Sequence, residues 1–191
     1  MVPMSLAETL ALVVAHLDRA GIAHMVAGSI ASTHHGEPRS TRDIDLVIVA
    51  EVEQVTMFVD CFDPSRYYLG NPVVDGVLRD QFNLIDTMTG WKVDLLLRKD
   101  RPFSRAEFER RQPVTILGVS TAVATVEDTI LAKLEWGKAA GSQRQLDDVV
   151  AMISVQRHLD LDHLHRWASE LGIADDLDRA FDLASAPFED R

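Results

Sequence analysis

Asp43 and Asp45 flank Ile44 at the head of a short apolar run, Leu46-Val47-Ile48-Val49, of strand length and β-branched character. Side chains alternate along a strand, so the two carboxylates share one face and Ile44 takes the other. Carboxylates so placed repel each other and lose hydration, and a divalent cation is the simplest group that keeps both ionised. A third acid, Asp94, lies inside the apolar stretch 92–97, where an acidic residue is costly unless paired or metal-bound. Alternation places Lys92, Asp94 and Leu96 on one face of that stretch and Val93, Leu95 and Leu97 on the other. Asp86 is a rival third acid, but its place beside the Thr87-Met88-Thr89-Gly90 turn predicts a solvated carboxylate. Upstream, the apolar run Met25-Val26-Ala27 ends in Gly28-Ser29, with thirteen residues between Ser29 and Asp43. A glycine there lets the backbone approach a phosphate closely, and a helix beginning there aims N–H groups at it.

The combination of Gly28-Ser29 with Asp43-x-Asp45 resembles the signature of the nucleotidyltransferase fold, the polymerase-beta-like superfamily. The run Arg39-x-Thr41-x-Asp43-Ile44-Asp45-Leu46 is most similar to the small prokaryotic toxin-type, abortive-infection-like members, a group that stands beside the antibiotic nucleotidyltransferases. The resemblance implies an α/β (α+β) fold with a mixed central sheet flanked by helices and a small C-terminal helical segment. It also implies transfer of a nucleoside monophosphate from an NTP to an acceptor hydroxyl, with an RNA (tRNA) end as acceptor and an antitoxin protein as partner. Two alternatives stand beside that reading. One is modification of an antibiotic hydroxyl, and the other is a non-catalytic nucleotide-binding module.

On the resemblance, Asp43, Asp45 and Asp94 are the catalytic metal ligands, with Mg²⁺ as cofactor and two ions expected. Gly28 and Ser29 would hold the β- and γ-phosphates. Lys133 or Arg39 would contact the triphosphate, and Asp148 would orient Lys133 or the sugar. Transfer of this kind asks a protein for positioning, charge neutralisation at the α-phosphate and an activated acceptor oxygen.

These residues need elements to hold them. Residues 5–20 carry Leu6, Leu10, Val13, Val14 and Leu17 at helical spacing, closed by Gly21. Strands are predicted at 24–27, 43–49, 73–78, 81–86, 91–97 and 113–119, with Asp75-Gly76 a tight turn and Tyr67 and Tyr68 in a loop. A short helix is expected over Ile30–His34 and another over Glu51–Cys61. Beyond the sheet, Thr125-Val-Glu-Asp128 and Ser142-Gln-Arg-Gln145 read as two capping boxes. Lys133 falls on the flank of its helix stripe, and Asp147 and Asp148 fall outside theirs. The composition shift divides the chain into a catalytic core, 1–120, and a helical C-terminal subdomain, 121–191.

At 191 residues, 47% hydrophobic and 26% charged, the chain can bury a full core. Its net charge of −11 argues against charge-driven binding to double-stranded DNA. Arg98, Lys99, Arg101, Arg105, Arg110 and Arg111 form a local basic exception, read as a solvated surface. His34 and His35 lie near the expected cleft. His158, His163 and His165 lack metal spacing and read as solvated. The lone Cys61 reads as a small buried hydrophobe. With no membrane-length apolar run and no signal-peptide layout at Met1–Ser5, a cytoplasmic setting is expected.

Overall fold

The structure, a computed structural model, describes residues 4–185. In chain order the elements are α1 (Leu6–Arg19), β1 (Ala23–Ala27), α2 (Gly28–His35), β2 (Asp43–Val49), α3 (Val52–Val59), β3 (Tyr67–Leu69), β4 (Val73–Val74), β5 (Val77–Leu78), β6 (Gln81–Asp86) and β7 (Lys92–Leu97). There follow α4 (Pro102–Glu109), β8 (Gln112–Ile116), β9 (Val119–Val123), α5 (Val126–Ala140), α6 (Gln143–Val155), α7 (Leu161–Leu171) and α8 (Ala174–Ser185). The fold is the expected mixed α/β one. Two compact units divide the chain: Met1–Ser29 with Ser40–Val123, and Ile30–Arg39 with Ala124–Arg191. A division at 120/121, drawn from composition, leaves Ile30–Arg39 with the sheet. Met1–Pro3, part of the signal-peptide reading, lie outside the described residues.

The first unit is built on a seven-stranded sheet in the order β3-β6-β7-β2-β1-β9-β8. β2 pairs in parallel with β7 and antiparallel with β1, and β1 pairs in parallel with β9. Alternation does the sorting along these strands. Ile44, Leu46 and Ile48 of β2 are fully buried, as are Val93 and Leu95 of β7. Register aligns Ile44 with Val93 and Leu46 with Leu95, so these side chains form one continuous apolar face. Each buried branched side chain of this size stabilises the fold by about 1.5–3 kcal/mol. Ser5 caps α1 reciprocally with Glu8, its N–H donating to Glu8 Oε2 at 2.7 Å while its Oγ accepts from Glu8 N–H at 3.3 Å. The apolar stripe Leu10, Val13, Val14 and Leu17 is buried, with α1 against β1 and β9.

Two features of this unit differ from the sequence reading. The expected single strand over 113–119 is a hairpin, β8 and β9, turning at Leu117 and Gly118 with φ of 52° and 80°. A left-handed leucine is uncommon, so Leu-Gly gave no turn signal. Tyr67 and Tyr68 belong to an edge strand rather than a loop. The Asp75-Gly76 turn is present between β4 and β5, with both residues at positive φ.

The second unit is helical. Thr125 caps α5, its Oγ1 accepting from Asp128 N–H at 3.2 Å. Ile130, Leu131, Leu134, Val149, Met152, Leu164, Ala168 and Leu177 are buried among α5 to α8. The segment from Ile30 is tied to these helices at its end: His35 Nε2 lies 2.7 Å from Ala124 O, and Gln156 Nε2 donates to His35 O at 2.6 Å. The expected capping box at Ser142 is absent. Its side chain makes no cap hydrogen bond, and Gln145 accepts from Lys133 instead. His163 is also not solvated: it is buried, with Nε2 2.7 Å from Oδ1 of the fully buried Asp128.

Candidate active site

The acidic face of the first unit is created by the β2–β7 register. Parallel pairing sets Asp43 opposite Lys92 and Asp45 opposite Asp94, and β1 and β6 extend the second row to Ala27 and Asn83. Since Ile44 and Val93 fill the apolar face, Asp43, Asp45, Lys92 and Asp94 all lie on the other. The three aspartates singled out from the sequence are thus brought to neighbouring positions on one sheet face. Thr41 settles the entry to β2, its Oγ1 donating to Asp43 O at 3.1 Å.

Gly28 follows β1 directly and opens α2. Its φ is +57°, and a Cβ built on it would lie 2.8 Å from Asp45 Cβ and closer still to the carboxylate. The glycine serves two needs here, a left-handed backbone and the space into which Asp45 projects. Ser29 is the next residue, still within the first unit.

Asp94 is 7% exposed and both its oxygens are engaged. Lys92 Nζ donates to Oδ2 at 2.7 Å, and Gln81 Nε2 donates to Oδ1 at 3.3 Å. Lys92 is held above its ordinary pKa, first by the hydrogen bond to Asp94 and then by attraction to Asp94, Asp43 and Asp45, against a desolvation cost. Lys92 and Gln81 were not singled out from the sequence. Lys92 was visible on the Asp94 face by alternation, whereas Gln81 reaches Asp94 only through the β6–β7 register. Among the described residues, no three His, Cys, Asp or Glu side chains converge on one ion position. The donor set nonetheless suits a hard divalent cation: all oxygen, from three carboxylates on one sheet face.

Arg39, Lys133 and Asp148 form a separate network within the second unit. Arg39 grips Asp148 with both ends of its guanidinium, Nε to Oδ1 at 2.8 Å and Nη2 to Oδ2 at 2.9 Å. Lys133 Nζ donates to Asp148 Oδ2 at 2.7 Å and to Gln145 Oε1 at 2.9 Å. Burial pushes the Asp148 carboxyl up, but the hydrogen bonds from Arg39 and Lys133 outweigh it and hold the group below the usual carboxylate range. This corrects two placements. Lys133 is not on a solvated flank but 5% exposed, and Asp148 is not outside its stripe but 9% exposed. Helical periodicity marks charged residues as outward, and mutual pairing overrides that. Asp147, by contrast, is exposed and accepts from Gln143 at 3.0 Å.

The remaining candidates have structural partners. Asp86 is not solvated: at 2% exposed it accepts two hydrogen bonds from Arg66, at 3.2 and 2.8 Å. These bonds, above all, hold its carboxyl below the usual range. In the basic segment, Arg105 pairs with Asp100 at 2.6 Å, Arg101 bonds Ser104 at 2.9 Å and Arg111 lies 4.1 Å over the Phe108 ring. Cys61 is half-buried, with Sγ 3.3 Å from Met57 O. Burial holds His35 below the usual imidazole range, despite the hydrogen bond to Ala124. No helix among the described residues is long and apolar enough to cross a membrane.

No described protein family matches the chain, and no curated protein does. Solved structures do. An antigenic nucleotidyltransferase-like protein from Paracoccidioides brasiliensis is similar over 95% of each chain, at 19% identity and a TM-score of 0.57. ANT(2")-Ia in complex with adenylyl-2"-tobramycin matches 88% of this chain and 98% of its own, at 12% identity and a TM-score of 0.60. The lincomycin-bound lincosamide antibiotic adenylyltransferase LnuA matches 81% of this chain and 100% of its own, at 11% identity and a TM-score of 0.54. At such identities the likeness is one of architecture, and the chain has the fold of the nucleotidyltransferase-like proteins.

Proposed function

We propose that this protein is a metal-dependent nucleotidyltransferase, moving a nucleoside monophosphate from an NTP to an acceptor hydroxyl. The observation that carries the reading is the in-register row of Asp45 and Asp94 on adjacent parallel strands, with Asp43 on the same face and Gly28 packed against Asp45. Asp43 and Asp45 would hold Mg²⁺, and Asp94 would share a second ion. The metal supplies charge neutralisation at the α-phosphate and lowers the pKa of the attacking hydroxyl. The acceptor oxygen bonds to the α-phosphorus as the α–β phosphoanhydride breaks, and pyrophosphate leaves with the electron pair. Asp94, the most buried of the three, is placed in this reading to help take the hydroxyl proton. Gly28 and Ser29 are the proposed phosphate contacts. Arg39, Lys133 and Asp148 are proposed nucleotide contacts on the resemblance alone.

The resemblance to toxin-type members favours an RNA end, such as tRNA, as acceptor, with an antitoxin as partner. The net charge of −11 favours a second acceptor class, a cationic small molecule such as an aminated antibiotic. Incubation with each labelled NTP, Mg²⁺ and either total RNA or a panel of hydroxylated antibiotics distinguishes them. Label in RNA, with growth arrest on expression, supports the first. Label in the drug, with resistance on expression, supports the second. No transfer to any acceptor despite NTP binding would overturn the enzymatic reading in favour of a nucleotide-binding module, and label undiminished in Asp45→Ala would overturn the site.

A further inference from the structure

Lys92 occupies an unusual electrostatic position. Asp43 faces it across the strand pair, Asp94 follows two residues along its own strand, and Asp45 stands diagonally opposite. Three carboxylates thus stand beside the Lys92 ammonium on a single sheet face. Without that ammonium the carboxylates would repel one another, and Asp94 would carry a buried charge lacking a cationic partner on its own strand. The 2.7 Å bond from Lys92 and the 3.3 Å bond from Gln81 also claim both Asp94 oxygens. An ion arriving at Asp94 Oδ2 therefore meets the Lys92 ammonium already bonded there, a like charge at contact distance. Asp94 is buried within a paired strand, whereas the Lys92 side chain is 36% exposed on a flexible four-carbon stem. The lysine is the partner able to move.

We infer that Lys92 is a resident counter-ion of the acidic face, holding Asp94 until a divalent cation replaces the ammonium. This rests on the metal-dependent reading above and adds to it a positioning residue outside the carboxylate set. Lys92 keeps the metal-free protein stable and in exchange weakens its affinity for the ion, because each arriving cation must displace a positive charge. Lys92 leaves Oδ2, its ammonium moves towards solvent, and Gln81 retains Oδ1 to hold the Asp94 rotamer.

Mn²⁺ titration followed by electron paramagnetic resonance tests the exchange in the full chain. Lys92→Gln is expected to bind Mn²⁺ about tenfold more tightly than wild type, since a like charge a few ångströms from the ion is removed. Lys92→Arg, which keeps the charge, stays within about twofold. Metal-free Lys92→Gln melts at a lower temperature than wild type and gains more from added Mn²⁺. In the unmutated protein, ¹³C-methylated Lys92 is expected to shift its resonance on addition of Mg²⁺, a readout that does not depend on a variant folding. Equal or weaker Mn²⁺ binding by Lys92→Gln, or a Lys92 resonance indifferent to Mg²⁺ at concentrations that saturate the site, overturns the exchange while leaving the metal reading intact. Failure of both wild type and Lys92→Gln to bind Mn²⁺ overturns the metal reading and the exchange together.

Discussion

Gly28 stands where any side chain would run into Asp45. The left-handed backbone of Gly28 and the carboxylate of Asp45 occupy one corner, so the residue after β1 and the second acid of β2 are fitted to each other. Gly28→Ala therefore meets two costs, about 1 kcal/mol for the backbone and a further steric term against Asp45. It is expected to lower the melting temperature by a few degrees and nucleotidyl transfer by more than about tenfold, the second because Asp45 must swing away. Thermal denaturation and the labelled-NTP assay read the two effects separately. Wild-type transfer by the variant would remove Gly28 from the site.

Asp94→Asn preserves shape and removes charge. The amide keeps one oxygen acceptor, while the attraction that places Lys92 is lost. Transfer is expected to fall by about a hundredfold or more, with the circular dichroism spectrum unchanged. Activity within a few-fold of wild type would sink Asp94 as the third acid and reopen the search among the other carboxylates of the unit.

Lys133 and Asp148 make unequal predictions because Arg39 stays behind. Asp148→Ala leaves the buried Lys133 ammonium without its carboxylate, a loss expected to cost about 3 kcal/mol in urea unfolding. Lys133→Met leaves Asp148 still gripped by Arg39, and the expected cost is about 1–2 kcal/mol. Equal destabilisation by the two variants would mean that Arg39 does not compensate.

Stability should fall in acid through two named carboxylates. Asp86 and Asp148 are both held below the ordinary range in the folded protein, so the unfolded chain binds protons first as pH drops. Their stabilisation is fully present above about pH 4 and is lost as pH falls from there through the lowered folded values. Melting curves between pH 2 and pH 7 are expected to be flatter for Asp86→Asn than for wild type. A parallel curve would assign the acid sensitivity elsewhere.

Much of the candidate site's geometry was legible before the fold, and for a definite reason. Strand alternation is a local rule, so Asp43 with Asp45, and Lys92 with Asp94, could be assigned to shared faces from their spacing alone. The apolar runs around them required burial, and Gly28 marked a backbone break. Local pattern failed where distant side chains pair: Lys133 with Asp148, Asp86 beneath Arg66, and His163 against Asp128 bury polar groups that their neighbours mark as outward.

From its sequence alone this chain specified which residues are apolar, where the capped helices after Ser5 and Thr125 start and which acids share a strand face, because those depend on neighbours a few positions away. Only the folded chain decided that β2 lies parallel to β7 with Asp45 level with Asp94, that Gln81 reaches Asp94, and that Gly28 makes room for Asp45. Strand register and long-range pairing depend on how the whole sheet packs, and no local spacing encodes them.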